Sequence, residues 1–170
     1  EVIASADAIT VSADAITSAT VDALLARIDG KRGVLVAGGG VDDPRAVHRL
    51  ADALGWPVLA DPRSGARLEG SGAIVYADAL LRVDAWADAH RPDIVVRIGA
   101  PWASKVVTQW LAQAELVLVD AHGIWIEPDR RPVLRVRATA SELADALVSR
   151  VRAVDPSWRD GRPAATRRAM

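Results

Sequence analysis

Short runs of consecutive apolar residues alternate along this chain with longer stretches whose apolar residues recur every three or four positions. The runs Gly33–Ala37 (GVLVA), Pro57–Ala60 (PVLA), Ile94–Ile98 (IVVRI), Leu116–Asp120 (LVLVD) and Val133–Val136 (VLRV) predict strands that are apolar on both faces. Between them lie helical patterns. Val21, Leu24, Leu25 and Ile28 share one face, with Thr20 as N-cap and Gly30 as the stop. Asp43 caps a second helix with Pro44 in its first position, and Val47, Leu50 and Leu54 form the inner face. Tyr76–Ala89 reads as one helix with Leu80, Leu81 and Trp86 inward. Ala103–Gln113 reads as another, and Ser141–Val151 as a closing helix with Glu142 in its first turn.

Continuous apolar strands alternating with helices predict an α/β fold, a three-layer αβα sandwich around a mainly parallel sheet of about five to six strands. Ligands of such sheets bind beyond the carboxyl ends of the strands, where the strand order reverses. The loops 38–43, 61–72, 99–105 and 120–129 are therefore the expected functional edge. Residues 20–154 form the expected domain. Residues 1–19, in which SADAIT occurs twice, read as a linker or irregular lead-in, and the Pro- and Arg-rich residues 155–170 as a basic tail or severed linker outside the core.

Composition narrows the chemistry. Cysteine is absent, so there is no disulfide, thiolate nucleophile or cysteine metal site, which fits a cytoplasmic location. A formal net charge of −1 favours neither nucleic acid nor an acidic membrane, and no run is long enough to span a bilayer. Phe is absent and six Trp carry the aromatic bulk. Nineteen Arg accompany only two Lys, Lys31 and Lys105, which singles out Lys105 inside the domain.

Four features carry candidate chemistry. Gly38-Gly39-Gly40 after the first strand invites a dinucleotide reading, with Asp61 placed for a ribose. The fingerprint, however, requires glycine where Asp43 stands, and the adjacent Asp42 and Asp43 would repel phosphate. His48, His90 and His122 have no metal-ligand spacing. Arg63 and Arg67 lie at a strand's carboxyl edge. Arg97, inside an apolar strand, needs an acceptor: either Asp61, Asp93 or Asp120 across the sheet, or the carboxylate of a ligand. Finally, Gly99–Lys105 (GAPWASK) leads into a helix. Ser104 or the adjoining amides suit an anion there, and Lys105 is a movable cation in a first turn where the helix dipole disfavours it.

Together these pieces resemble a known family. They are the glycine-ended first strand, Leu54-Gly55-Trp56-Pro57-Val58-Leu59-Ala60-Asp61-Pro62 with Ser64-Gly65 and Arg67, and Tyr76 with Asp78 and Leu80-Leu81-Arg82. Pro92-Asp93, Arg97-Ile98-Gly99, Ser104-Lys105, Trp110-Leu111 and Val119-Asp120 complete them. Over residues 33–147 the chain is similar to the central domain of the 2-succinyl-5-enolpyruvyl-6-hydroxy-3-cyclohexene-1-carboxylate synthases of menaquinone biosynthesis. That resemblance implies a transferase parent in which this domain lies between a pyrimidine-binding and a diphosphate-binding domain. Such a parent uses thiamine diphosphate and Mg²⁺, joins decarboxylated 2-oxoglutarate to isochorismate, and assembles as a homo-oligomer. The family's G-D-G-to-Asn metal motif is missing, since the chain has no Asn. The segment alone is therefore expected to be inactive and to bind no cofactor or metal.

The resemblance implies that Lys105, with Ser104, contributes to the substrate site. Val106 stands where the family often has a second cation. It also implies a possible regulatory anion site for the product 1,4-dihydroxy-2-naphthoate at Arg63, Arg67 and Arg97. Two other readings stand beside this one: a nucleotide- or flavin-binding middle domain of another thiamine enzyme, and a ligand-free interaction module.

Overall fold

The computed structural model describes residues 16–123 and 132–159. The SADAIT repeats up to residue 15, the far part of the 120–129 loop and the tail beyond residue 159 lie outside these described residues.

Among the described residues five strands form one parallel sheet in the order β2-β1-β3-β4-β5: β1 (Gly33–Ala37), β2 (Val58–Ala60), β3 (Ile94–Ile98), β4 (Glu115–Val119) and β5 (Leu134–Val136). β1 and β3 are paired along their whole length, from Gly33↔Ile94 to Ala37↔Ile98, and both are buried throughout. Burial on both faces explains why these strands read as unbroken apolar runs.

Successive strand side chains point to opposite faces, so each face builds its own core. Leu35, Ala37, Val96, Ile98, Val117 and Val119 pack in the larger core with α1 (Ser18–Ile28), α2 (Pro44–Leu54) and α6 (Ala140–Leu147). Val34, Val36 and Val95 face the other way, onto the short helices α3 (Ala77–Leu81), α4 (Asp84–Ala89) and α5 (Lys105–Leu111). The predicted α/β sandwich is therefore the observed one.

Local signals set most boundaries. Asp43 caps α2 with Pro44 at its start, and Gly55 ends that helix at φ 68°. Thr139 and Glu142 form a reciprocal capping box on α6. Thr17, extended at φ −93° and ψ 163°, is the cap of α1; Thr20 lies one turn inside and gives its amide to Thr17 Oγ1 at 3.1 Å. The expected cap at Thr20 is thus displaced by three residues.

The helix expected over 76–89 is broken at Arg82–Val83, where Val83 is extended. A continuous helix that buried Ala77 and Leu81 would next bury positions 84, 85 and 88. The residue that is buried instead is Ala87, and the break rotates α4 to put it inward. Trp110 Nε1 then donates to the Ala87 carbonyl at 3.0 Å.

Trp158, expected outside the core, belongs to it. Its indole is 8% exposed and donates from Nε1 to Gly33 O at 2.8 Å, with the Arg32 guanidinium 5.2 Å from the ring centroid. On β1 a Cβ at Gly33 would sit 2.2 Å from the ring of the fully buried Trp56. Glycine is required there because an indole occupies the space of a side chain.

Candidate functional site

The strand order changes direction between β1 and β3, so the crevice typical of open α/β sheets belongs between the loops that follow these strands. Here the main chain closes it. Gly38 N donates to Ile98 O at 2.8 Å, and Ala100 N donates to Gly39 O at 2.9 Å. A Cβ at Gly38 would lie 1.9 Å from Ala100 O, and one at Gly99 would lie 2.6 Å from Gly39 O. Gly38 and Gly99 thus allow two loops to touch, which is a different use of glycine from the pyrophosphate approach of a dinucleotide site.

The helix N-termini on this edge are also supplied from within. Asp43 accepts from the amides of Arg45 (2.8 Å) and Ala46 (3.2 Å), while Ser141 Oγ donates to it at 3.2 Å. Asp42 accepts from Ala140 N at 2.7 Å and so reaches the first residue of α6. At α5, Ser104 Oγ accepts from Val107 N at 3.3 Å and donates its own proton to Asp78 Oδ2. Asp78 also accepts from Arg82 Nε at 2.9 Å. The hydrogen bond from Ser104, followed by that from Arg82, holds the Asp78 carboxyl below the usual carboxylate range. Carboxylates thus accept from first-turn amides of α2 and α6, where a phosphate would be drawn, and the Ser104 hydroxyl accepts from one at α5.

Asp61 is the other organised carboxylate. Burial pushes its pKa up, but the Arg63 side chain and amide outweigh that, and the Ala103 amide helps them; the net shift is downward. Arg63 grips Asp61 through Nε (3.0 Å) and Nη2 (3.1 Å), and Nη2 also reaches Pro101 O at 2.9 Å. Arg67 is exposed and donates from Nε to Ala60 O at 3.0 Å. Arg97 is buried at 7% exposure on β3, in register between Val36 and Leu118. Arg97 has an interaction of its own, and the carboxylates named for it have further contacts: Asp61 binds Arg63, Asp93 accepts from Arg32 N at 3.0 Å, and Asp120 accepts from His122 N at 3.2 Å.

Lys105 differs from all of these. It is the first residue of α5 and is exposed, and its ammonium has no hydrogen bond or ion pair among the described residues. The other lysine, Lys31, is held by Glu115 at 3.0 Å. The structure therefore brings Ser104 and Lys105 to the carboxyl edge together, with Ser104 engaged and the Lys105 ammonium without a partner among the described residues. Asp78, which the resemblance includes, is a residue to which sequence reasoning gave no role. Its i,i+4 spacing to Arg82 was visible, but its partner Ser104 lies 26 residues away.

Among the described residues histidines and acids form no metal centre. His48 meets Ala66 O at 2.8 Å, and His90 meets Trp86 O at 2.7 Å. Among the described residues no three His, Asp or Glu are grouped to hold a metal ion. The fit to thiamine diphosphate and Mg²⁺ is therefore poor among the described residues: the N-termini of α2, α5 and α6 each carry a side-chain acceptor of their own, and no group of His, Asp and Glu is placed to hold the metal. No described helix is long and apolar enough to cross a membrane. An open groove of ≈ 610 Å³ between α2 and the 68–71 loop is lined by charges of both signs, including Arg45, Arg49, Asp52 and Glu69.

Comparison with known proteins agrees with this architecture. Residues 5–168 match the sequence family described as the middle domain of thiamine pyrophosphate. The 2-succinyl-5-enolpyruvyl-6-hydroxy-3-cyclohexene-1-carboxylate synthase of Myxococcus xanthus is 34% identical over 89% of this chain and 27% of its own length. That of Rubrobacter xylanophilus is 37% identical over 77% of this chain and 24% of its own length, and that of Halobacterium salinarum is 36% identical over 72% and 21%. The chain thus spans about a quarter of the length of these curated relatives. With nearly its whole length matched, and a parallel five-stranded sheet of the expected kind, the chain belongs to the family of thiamine pyrophosphate enzyme middle domains.

Proposed function

We propose that this chain serves as the central domain of a synthase that adds decarboxylated 2-oxoglutarate to isochorismate in menaquinone biosynthesis. In that setting it packs against a pyrimidine-binding and a diphosphate-binding domain of a homo-oligomeric enzyme and contributes Lys105 to the substrate site. The observation that carries this reading is the contrast between Lys105 and its neighbour: an exposed cation without a side-chain partner among the described residues, at the carboxyl edge of the sheet, beside Ser104, which is bonded to Asp78. A lysine there is a point charge on a flexible stem, suited to the carboxylates of 2-oxoglutarate or isochorismate.

Thiamine diphosphate, held with Mg²⁺ by the other domains, supplies the carbanion chemistry in such an enzyme. The present chain supplies binding charge and a rigid surface, and by itself it neither binds the cofactor nor turns over substrate. The occupied helix N-termini support this reading over a nucleotide- or flavin-binding domain. A regulatory anion site for 1,4-dihydroxy-2-naphthoate at Arg63, Arg67 and Arg97 has weaker support, because Arg63 and Arg67 already donate to Asp61, Pro101 and Ala60. Titration of that product against Arg67→Ala and the parent sequence tests it; identical responses remove Arg67 from such a site.

The main test uses the longer synthase that contains this segment. Lys105→Met raises KM for one anionic substrate about ten- to a hundred-fold, the loss of one charge-assisted contact, while melting temperature holds. An unchanged KM for both substrates refutes the role of Lys105. Carbon dioxide release by the 170-residue chain alone, supplied with cofactor and both substrates, refutes the claim that it is only a part of the catalyst.

A further inference from the structure

Loops at the edge of an α/β sheet are ordinarily among its less constrained parts. The segment between β3 and α5 is an exception, for each of its residues before Lys105 is tied down except Ala103, whose amide lies near Asp61. Gly99 N donates to Val119 O at 3.0 Å, and Ala100 N to Gly39 O at 2.9 Å. Pro101 O accepts from Arg63 at 2.9 Å, and Trp102 O from Thr108 Oγ1 at 3.3 Å. Ser104 is bonded to Asp78, and its carbonyl accepts from Thr108 N at 3.0 Å. The two side-chain anchors come from different elements. Asp61 and Arg63 follow β2, and Asp78 belongs to α3, beyond the other sheet face.

We propose that Asp78 and the Asp61–Arg63 pair are positioning residues, which clamp the 99–105 segment at Ser104 and at Pro101 and thereby fix the point from which Lys105 projects. The function of Arg63 in this account is to grip a carbonyl and a buried carboxylate, with no ligand of its own. Asp78 holds the Ser104 hydroxyl in the rotamer that caps α5, so the same hydrogen bond sets both the helix start and the base of the Lys105 side chain. A cation on a four-carbon stem binds selectively only when its Cα is placed, since misplacement of about 1 Å can cost on the order of 100-fold in rate. The inference rests on the reading that Lys105 meets an anionic substrate, and its tests are arranged so that the two can fail separately.

The first test needs only this chain. Amide hydrogen exchange is measured for Asp78→Ala, Asp78→Asn and Arg63→Lys. Asp78→Ala speeds exchange at Val107 and Thr108 by about ten-fold or more, with the strand amides unchanged. Asp78→Asn keeps an acceptor for Ser104 and restores most of the protection. Arg63→Lys keeps a charge beside Asp61 but lacks the fork that also reaches Pro101, and it loosens the segment there. If Asp78→Ala folds and leaves exchange at 106–108 as in the parent sequence, the clamp is refuted whatever Lys105 does.

The second test uses the full-length synthase. Asp78→Ala raises KM for the substrate that responds to Lys105→Met by about ten-fold, and Asp78→Asn returns it toward the parent value. A melting temperature unchanged between the two Asp78 variants separates positioning from general stability. If Lys105→Met raises KM and Asp78→Ala does not, positioning is refuted. If Lys105→Met itself has no effect, the substrate-site reading fails, and the exchange result alone decides the clamp.

Discussion

Replacing the three consecutive glycines one at a time by alanine separates the two uses of a glycine-rich turn. At Gly38 the added Cβ would stand 1.9 Å from Ala100 O and 2.9 Å from both Ala100 C and Ala100 N, all main-chain atoms. Relief requires the 38–40 and 99–101 loops to part, which strains or breaks the hydrogen bonds Gly38 N→Ile98 O and Ala100 N→Gly39 O. Overpacking of a dense site costs about 1–3 kcal/mol. The two hydrogen bonds together add roughly 1–3 kcal/mol. Gly38→Ala is therefore expected to lose about 3 kcal/mol. At Gly39 the nearest atom to the new Cβ is Arg63 Cβ at 3.5 Å, an ordinary contact. Gly39→Ala should fall within about 0.5 kcal/mol of the parent, because lower entropy of the unfolded chain offsets the small loss of space. Gly40 has open space but φ +83°, so Gly40→Ala costs about 1 kcal/mol in backbone strain. Urea denaturation followed by tryptophan fluorescence yields all three values. An order other than Gly38, then Gly40, then Gly39 contradicts the geometry. Gly38→Ala within about 0.5 kcal/mol of the parent would mean that the loops do not meet.

Other consequences follow from the same contacts. Trp158→Ala should cost about 3–5 kcal/mol, the usual loss for a buried indole, and a thermal melt of the otherwise intact chain measures it. Thr139→Ala removes the capping box of α6 and should cost about 1 kcal/mol in urea. Lys105→Met, by contrast, should leave stability within about 0.5 kcal/mol or raise it slightly, since it removes a cation from the first turn of α5. Asp61 and Asp78 are held below the normal carboxylate range, so their stabilisation is complete above about pH 4 and is lost as pH falls through their lowered folded values. Urea midpoints measured from pH 7 downward should therefore fall on the acid side, and Asp78→Asn should flatten that limb.

What could be read in the sequence was local. β1 and β3 lie where their apolar runs ended, because strands buried on both faces need no partner to be recognised. Asp43-Pro44 located the start of α2 because capping is a contact across three residues. What escaped was tertiary. The break at Val83 answers to which residues of α4 must face the sheet, a phase fixed by Trp110 and Ala87 and not by the helix itself. Trp158 lay in a polar, Arg-rich stretch, and only its fit against Gly33 makes it part of the core. At the site, Lys105 was visible through its rarity. Its anchoring depends on Asp78 and Arg63, 27 and 42 positions earlier in the 170-residue sequence.

The broken glycine pattern and the clamped loop have a common physical origin. A parallel sheet presents helix N-termini at its carboxyl edge, and each leaves amide donors that require an anion. A nucleotide-binding domain leaves that requirement to be met by phosphate. Here Asp43 meets it at α2, Asp42 at α6, and Asp78 through Ser104 at α5. Each acidic side chain also crosses to another element: Asp42 and Asp43 tie the turn after β1 to α6, and Asp78 ties α3 to α5. The carboxylates that would repel phosphate thus convert three potential ligand sites into three cross-links. In the proposed synthase, an edge cross-linked in this way would hold Lys105 at a fixed place for a reaction carried out by neighbouring domains. That division of labour requires the domain to stay rigid when anions are present. Millimolar pyrophosphate or adenine nucleotide should therefore leave its melting temperature unchanged, and a shift of several degrees would show that at least one N-terminus is still open.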